Sequence, residues 1–320
     1  MPTQFSDSIS DELKQYILAE EDALEKLLLK LKEESSYSHQ YLSMETQRAK
    51  TLTSELVNAS RDEDKQMLAS DEELSHAIVK LKTNQVEDIE KILSRPYFAK
   101  LILHENVDGK KREIAFRIGY TSHTDSRIID WRKAPLAKLY YNYNEGDEYL
   151  EDIQGKEREG TVYRKFKIEI KDGVLIGFSW KNTHLKKENE TWVIAGEHRG
   201  FKNSAGELPD VLSLLTPDQY QTIIENHEQS VLLQGVAGSG KTTVALYRLA
   251  SIIAQTEIQS EQCLLLVKNG ALRNYCKKSA ETLSLNSLPV YSFEEWITKQ
   301  TTILSAMILK EITVNKNRSN

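Results

Sequence analysis

Leu13, Ile17, Leu24, Leu27 and Leu31 follow one another at steps of 4, 7, 3 and 4. That is the spacing of an apolar helical seam, with Glu20 standing where one apolar residue is skipped. The rhythm returns at Leu52 and Leu56, at Leu74, Ile78 and Leu81, and at Val86, Ile89 and Leu93. Between Thr3 and Arg95 there is neither glycine nor proline, and the first glycine is Gly109. Glycine and proline are the strongest helix breakers, so the pattern predicts long helices. Asp22 with Lys26 and Glu87 with Lys91 have the spacing of favourable pairs on the outer face. Ser60–Glu63 and Ser70–Glu73 each fit a capping box, so a second helix starts at one of them and the tip lies near residues 58–66. A helix from Ser70 to Leu93 is roughly 35 Å long, and Pro96 ends it by excluding Arg95 from helical backbone. Residues 1–95 thus read as an antiparallel coiled-coil arm. It serves either as a dimerisation element or as a projection whose acidic tip, Asp62, Glu63 and Asp64, reaches into another molecule. The tip acids read equally as a solvated turn.

From Tyr97 the period changes to two. "REIAFRIGY" sets Ile114, Phe116 and Ile118 on one face, and "TVYRKFKIEI" aligns Val162, Phe166, Ile168 and Ile170. Asp108-Gly109 and Asp172-Gly173 are hairpin turn signals, and "VLIGFSW" and "TWVIAG" complete a small antiparallel, barrel-like domain over residues 96–197. Around Asp130-Trp131-Arg132 the chain is rich in aromatics. Trp131, Tyr140 and Tyr141 form either a surface site or a small core, and the core is favoured. Residues 198–210 read as a polar linker.

Residues 211–320 alternate between strand-like and helix-like stretches, the mark of an α/β fold. "SVLL" reads as a buried strand, "TTVALYRLASIIA" as an amphipathic helix, "CLLLV" (263–267) as a buried parallel strand and "LPVYSF" (288–293) as another. Between the first two stands "GVAGSGKT", residues 235–242, which satisfies the GxxxxGK[ST] pattern. Gly235, Gly238 and Gly240 let backbone N–H groups, including those of Ala237 and Ser239, curl round a phosphate without side-chain clash. Lys241 would reach the β- and γ-phosphates of ATP, Thr242 would hold Mg²⁺, and Thr243 continues the positive helix end. Upstream, Gln219 in "LTPDQYQTI" could pair with both N6 and N7 of adenine.

The ordered set "LTPDQ", "GVAGSGKTT", "LLLVKNGALRNY" and "VYSFEEW" resembles the first four motifs of superfamily 1 helicases of the UvrD/Rep type. The element "IIDWRKAPLAKLYY" and the helical front end narrow the resemblance to the HelD-like group, whose members recycle stalled bacterial RNA polymerase. The resemblance implies a multidomain α + β protein: an antiparallel coiled coil, a small antiparallel β domain, and a truncated α/β RecA-like P-loop domain. It implies adenine recognition by Gln219 and ATP·Mg²⁺ binding at Gly235–Thr243. It places Lys268, Asn269, Ser292 and Phe293 where relatives touch single-stranded nucleic acid, or else as residues that only pack the sheet. It also makes RNA polymerase a candidate partner for the arm.

Charge and composition refine this picture. Residues 1–95 hold 20 acids and 12 bases, a net of −8, against −6 for the whole chain. The front end is therefore unsuited to gripping phosphates and suited to a basic channel or face. Cys263 and Cys276 form no CxxC, no zinc spacing occurs, and no signal peptide or apolar run of membrane length is present, so a reduced, cytoplasmic protein is expected. A GTPase is disfavoured because no NKxD follows the loop, and an SMC-like protein because here the loop follows the helical segment. After Asp218 the chain contains no aspartate. Loss of an arginine finger alone costs about 10³ to 10⁵ in turnover, and the acidic residues are missing as well. The expectation is a non-hydrolysing N-terminal fragment, or a short binding module, with an open sheet edge and with Ile303, Leu304, Met307, Ile308 and Leu309 lacking partners.

Overall fold

The computed structural model describes residues 3–195 and 211–305, apart from Asp108, Ala134, Gln154, Asn226, Ser284 and Ile303. The proposed linker at 198–210, the turn residue Asp108 and the apolar residues Ile303, Met307, Ile308 and Leu309 fall outside them. The chain divides into two compact units, Met1–Arg199 and Gly200–Asn320.

Unit 1 begins with a short strand β1 (Gln4–Phe5), followed by α1 (Asp11–Asn58) and α2 (Asp62–Ser94). Ser10 caps α1 by accepting from the Leu13 N–H. The turn is only Ala59–Arg61. Neither expected capping box forms: the N-cap of α2 is Arg61, one residue after Ser60, with no side-chain cap bond, and Ser70 lies inside α2. At 33 residues α2 is about 50 Å long, not 35 Å. The seam Leu13, Ile17, Leu24, Leu27 and Leu31 is buried as expected.

That seam packs on a sheet. β2 (Ala99–Val107), β3 (Lys110–Gly119), β4 (Ile128–Asp130), β5 (Glu148–Ile153), β6 (Lys156–Lys171), β7 (Val174–Trp180), β8 (Thr183–Glu188) and β9 (Thr191–Ile194) join β1 in the order β1-β9-β8-β7-β6-β2-β3-β4, with β5 also on β6. Pairing is antiparallel except β1–β9 and β3–β4. The path is open, so the expected barrel-like closure is not formed. Asp172 and Gly173 both take positive φ, at 51° and 76°, so the Asp-Gly turn folds the β6–β7 hairpin as its sequence predicts.

Leu13, Ile17, Leu24, Leu27 and Leu31 share one core with Ile89, Ile92, Phe166, Ile168, Phe178, Trp180, Leu185 and Trp192. Tyr16 stacks obliquely on Phe166 and edge-on to Trp180. Trp131, Tyr140 and Tyr141, the last two on the short helix α3 (Ala137–Asn142), are buried outside that cluster, so the core reading of these aromatics holds. Asp130 anchors their loop, accepting from the Arg132 backbone N–H and from its guanidinium.

Glu20, the skipped tooth, is completely buried. Its carboxylate accepts from Tyr97 Oη at 2.7 Å, Lys100 Nζ at 2.5 Å and Arg117 Nε at 2.9 Å. Beside it Glu21 accepts from Thr3 Oγ1, Lys187 Nζ and Trp192 Nε1. The two acids fasten α1 to both halves of the sheet. The shared core stops at Leu31 on α1 and Ile89 on α2. Beyond Val86 the buried positions are small or polar: Ser38, Glu45, Ala49 and Ser75. Leu74 and Leu81, expected in the seam, are 61 % and 64 % exposed. Lys82 takes the inward place, its ammonium 5.1 Å over the Tyr41 ring. Lys91 pairs with Asp88, not with Glu87, while Lys26 pairs with Asp22 as predicted.

Unit 2 contains α4 (Pro217–Ile224), α5 (Lys241–Gln255), β10 (Leu265–Val267), α6 (Gly270–Thr282) and β11 (Val290–Ser292), with further helix over residues 293–302. β10 and β11 pair in parallel as a two-stranded sheet. "CLLLV" is therefore a strand for three residues only. It is not buried: Leu264 and Leu266 are exposed. "SVLL" forms no strand, and Val231 and Leu232 are 37 % and 83 % exposed. An isolated extended segment has no ladder to satisfy its backbone, and no described strand lies beside this one.

Candidate nucleotide-binding site

The glycine loop is shaped by its backbone. Gly238 and Gly240 take φ of 82° and 78°, which side chains with a Cβ rarely adopt. At Gly235 a Cβ would sit 2.7 Å from Ser239 Oγ, so a side chain there would displace that hydroxyl. Lys241 Nζ donates to the Gly235 carbonyl at 2.8 Å and the Val236 carbonyl at 2.7 Å, with Ser239 Oγ at 3.4 Å. The loop thus closes around the ammonium. α5 starts at this point with Gly240 as N-cap and no side-chain cap, so Lys241, Thr242 and Thr243 occupy the positive helix end. Val236, Ala237, Gly238 and Ser239 are exposed.

Gln219 is brought to the same loop. It closes a capping box with Thr216 at the start of α4: Thr216 N–H donates to Gln219 Oε1 at 3.0 Å and Gln219 N–H to Thr216 Oγ1 at 3.2 Å. Its Nε2 is directed at the Ser239 carbonyl at 3.5 Å. An adenine would have to share an amide already engaged on both ends. Arg248 was not legible as a site residue. It is buried on α5, and its Nη1 donates to the Thr222 and Glu225 carbonyls at 2.7 and 3.1 Å. It thereby satisfies the C-terminal end of α4 and holds Gln219's helix against the loop. The signal for it was a lone cation on the apolar stripe Val244, Tyr247, Arg248 and Ser251, all buried.

A phosphate group fits this chain's residues: two left-handed glycines, a third packed against the Ser239 hydroxyl, an uncapped helix start and a lysine inside the loop. Among the described residues no carboxylate hydrogen-bonds to Lys241 or Thr242.

The other predicted contacts gather elsewhere. Parallel pairing of Val267 with Ser292 puts Lys268 and Asn269, and Ser292 and Phe293, at the same end of the β10–β11 pair. Two of them are occupied locally. Asn269 Oδ1 caps α6 by accepting from Leu272 N–H at 2.9 Å. Ser292 and Glu295 form a reciprocal cap, the S-x-x-E pattern that "SFEEW" carried unrecognised. The Ser292 backbone N–H, then its side chain and Arg273, hold the Glu295 carboxyl below its ordinary range. Phe293 stays exposed and stacks on Trp296. Burial pushes both cysteine thiols up, so neither is a ready nucleophile. No helix of the described residues is long and apolar enough to cross a membrane, and the described residues contain no cluster of three or more His, Cys, Asp or Glu side chains placed to hold a metal ion.

Unit 1, a long helical hairpin locked by buried acids onto an open and mostly antiparallel sheet, is the part that comparison with known proteins places. Residues 17–190 match the family model described as the N-terminal domain of DNA helicase IV HelD, and the chain belongs to that family. The match covers more than half of the 320 residues. No curated protein matches the chain.

Proposed function

We propose that this chain is the ATP-binding part of a superfamily 1, UvrD/Rep-type helicase-like motor, and that it holds ATP·Mg²⁺ without turning it over. The observation that carries the reading is the loop geometry: Gly235, Gly238 and Gly240 wrapped around the Lys241 ammonium at the uncapped start of α5. In this reading Lys241 exchanges the Gly235 and Val236 carbonyls for the β- and γ-phosphates. Thr242 offers its hydroxyl to Mg²⁺ and Thr243 adds a helix-end N–H. Binding without turnover is the reading for these residues because no described carboxylate hydrogen-bonds to Thr242. The test is titration with ATP and Mg²⁺ in a calorimeter beside a phosphate-release assay. Binding should weaken at least about tenfold in Lys241→Ala, the equivalent of about 1.4 kcal/mol. Phosphate release should stay at background in both proteins. Lys241-dependent hydrolysis would refute the reading.

A second reading rests on a different observation. Met44, Val57, Met67, Leu74 and Leu81 are all exposed on the outer part of the α1–α2 hairpin, which also carries the acidic start of α2. Exposed apolar residues in such number suit a binding element, and RNA polymerase is the candidate partner.

A further inference from the structure

Along β6, β7 and β8 the residues Phe166, Ile168, Phe178, Trp180 and Leu185 face the core shared with α1. The alternate residues Lys165, Lys167, Glu169, Gly177, Ser179, His184 and Lys186 therefore occupy the opposite face. Strand pairing lines them up: Lys167 opposes Ser179, which opposes His184, and in the next row Glu169 opposes Gly177, which opposes Lys186. Ser179 Oγ lies 2.5 Å from His184 Nδ1, and His184 Nε2 lies 3.9 Å from Glu169 Oε1. Gly177 makes the room for this, because a Cβ there would sit 2.6 Å from the Glu169 carboxyl carbon.

The row carries more positive than negative charge. Lys167 and Lys186 make no ion pair with any described residue, and Glu169 is the one carboxylate in the two rows. At one end Lys165 donates to the Tyr143 carbonyl at 2.6 Å and lies over the Tyr140 ring, near Glu145 and Asp147. Burial holds the Lys167 ammonium below its usual range and pushes Lys165 down to about 8, against the pull of Glu145. Burial, then Lys167 and Lys186, hold the His184 imidazole below its ordinary value. A partly buried ring held neutral by burial and by two neighbouring cations takes up a proton more readily when an anion binds beside it. Protonation of His184 turns Nδ1–H into a donor to Ser179 Oγ, which releases the Ser179 hydroxyl proton for the anion. Glu169, 3.9 Å from His184 Nε2, is placed to pair with the ring once it is protonated.

We propose that Lys167, Ser179 and His184, with Lys186, form a binding site for a phosphate group, carried by a small phosphorylated molecule or by a nucleic-acid strand. The site's residues all belong to unit 1, and it does not depend on the nucleotide reading. Binding draws a proton onto His184, so its titration midpoint rises with occupancy.

The test follows the His184 ring signals by NMR across pH, using the full chain with Lys241→Ala to silence the glycine loop. Inorganic phosphate and a short single-stranded oligonucleotide are each compared with chloride at matched ionic strength. The expected result is a saturable upward shift of the His184 midpoint, by at least about half a pH unit. It should be lost in Lys167→Gln/Lys186→Gln while the core methyl signals of Leu185 stay in place. A shift with phosphate assigns small phosphorylated ligands, and a shift with the oligonucleotide alone assigns a strand. No shift beyond chloride with either probe, or an undiminished shift in the double variant, overturns the proposal.

Discussion

Glu20 is a charge placed where a seam calls for leucine. Burial alone pushes its carboxyl up. Arg117, then Lys100, with hydrogen bonds from Lys100 and Tyr97, more than reverse this and hold it below the ordinary carboxylate range. The same contacts push the Tyr97 hydroxyl upward, through burial first and the Glu20 charge second. A carboxylate whose folded value is depressed contributes stability that is fully present above its unfolded value of about 4.3 and lost as pH falls through the folded one. Glu20→Gln keeps the shape and removes the charge, leaving two half-buried cations facing a neutral amide. Removing one partner of a buried ion pair costs about 3–5 kcal/mol. Urea unfolding at pH 7 should show a loss of that order for unit 1, and the variant should lose less stability than the parent on going below about pH 4. Equal stability of the two proteins at pH 7 would mean that Glu20 is held by packing rather than by its three donors.

The helices and hairpins were legible in the sequence because their signals are local. The absence of glycine and proline forecast α1 and α2, Asp172-Gly173 forecast its turn, and the inner seam from Leu13 to Leu31 was read residue for residue. The outer seam was not. Leu74 and Leu81 lie one position round the helix from the buried line through Ser75 and Val86. Periodicity identifies an apolar stripe but cannot say which of two adjacent stripes meets the partner when that partner presents Ser38, Glu45 and Ala49. The donors to Glu20 stand 77 to 97 residues away, beyond any local pattern. In unit 2 the glycine loop was legible as a motif and its Gln219 as a neighbour. The strand at "SVLL" was not formed, because a strand requires another strand and the stretch itself carries no record of one. The seam assignment is testable. Ile89→Ala should cost about 2–5 kcal/mol, whereas Leu74→Ala and Leu81→Ala should each stay within about 0.5 kcal/mol. Chemical denaturation of the three variants checks this, and a large loss at Leu81 would move the seam back to where periodicity first put it.

At the scale of the molecule, charge and chemistry are segregated along the chain. Residues 1–95 carry a net −8 and the remainder +2. The acidic segment is also the one whose outer half lies beyond the shared core and exposes Met44, Met67, Leu74 and Leu81. The glycine loop lies in the other unit. Two functions so divided should be separable by mutation. Replacing residues 39–85 with a short turn would keep Leu31, Ile89 and Ile92 in the core and remove the exposed apolar and acidic positions together. If the hairpin is the binding element, this variant should no longer retain RNA polymerase in a pull-down yet should bind ATP as the parent does. Lys241→Ala should do the reverse, losing ATP and keeping polymerase. An acidic element meeting a basic surface also predicts that capture weakens as salt rises from about 0.05 to 0.5 M, since the Debye length falls from roughly 14 Å to about 4 Å. Capture that survives loss of the outer hairpin would place the contact on the sheet or on unit 2. Capture indifferent to salt would assign it to the exposed methionines and leucines rather than to the acids at the tip.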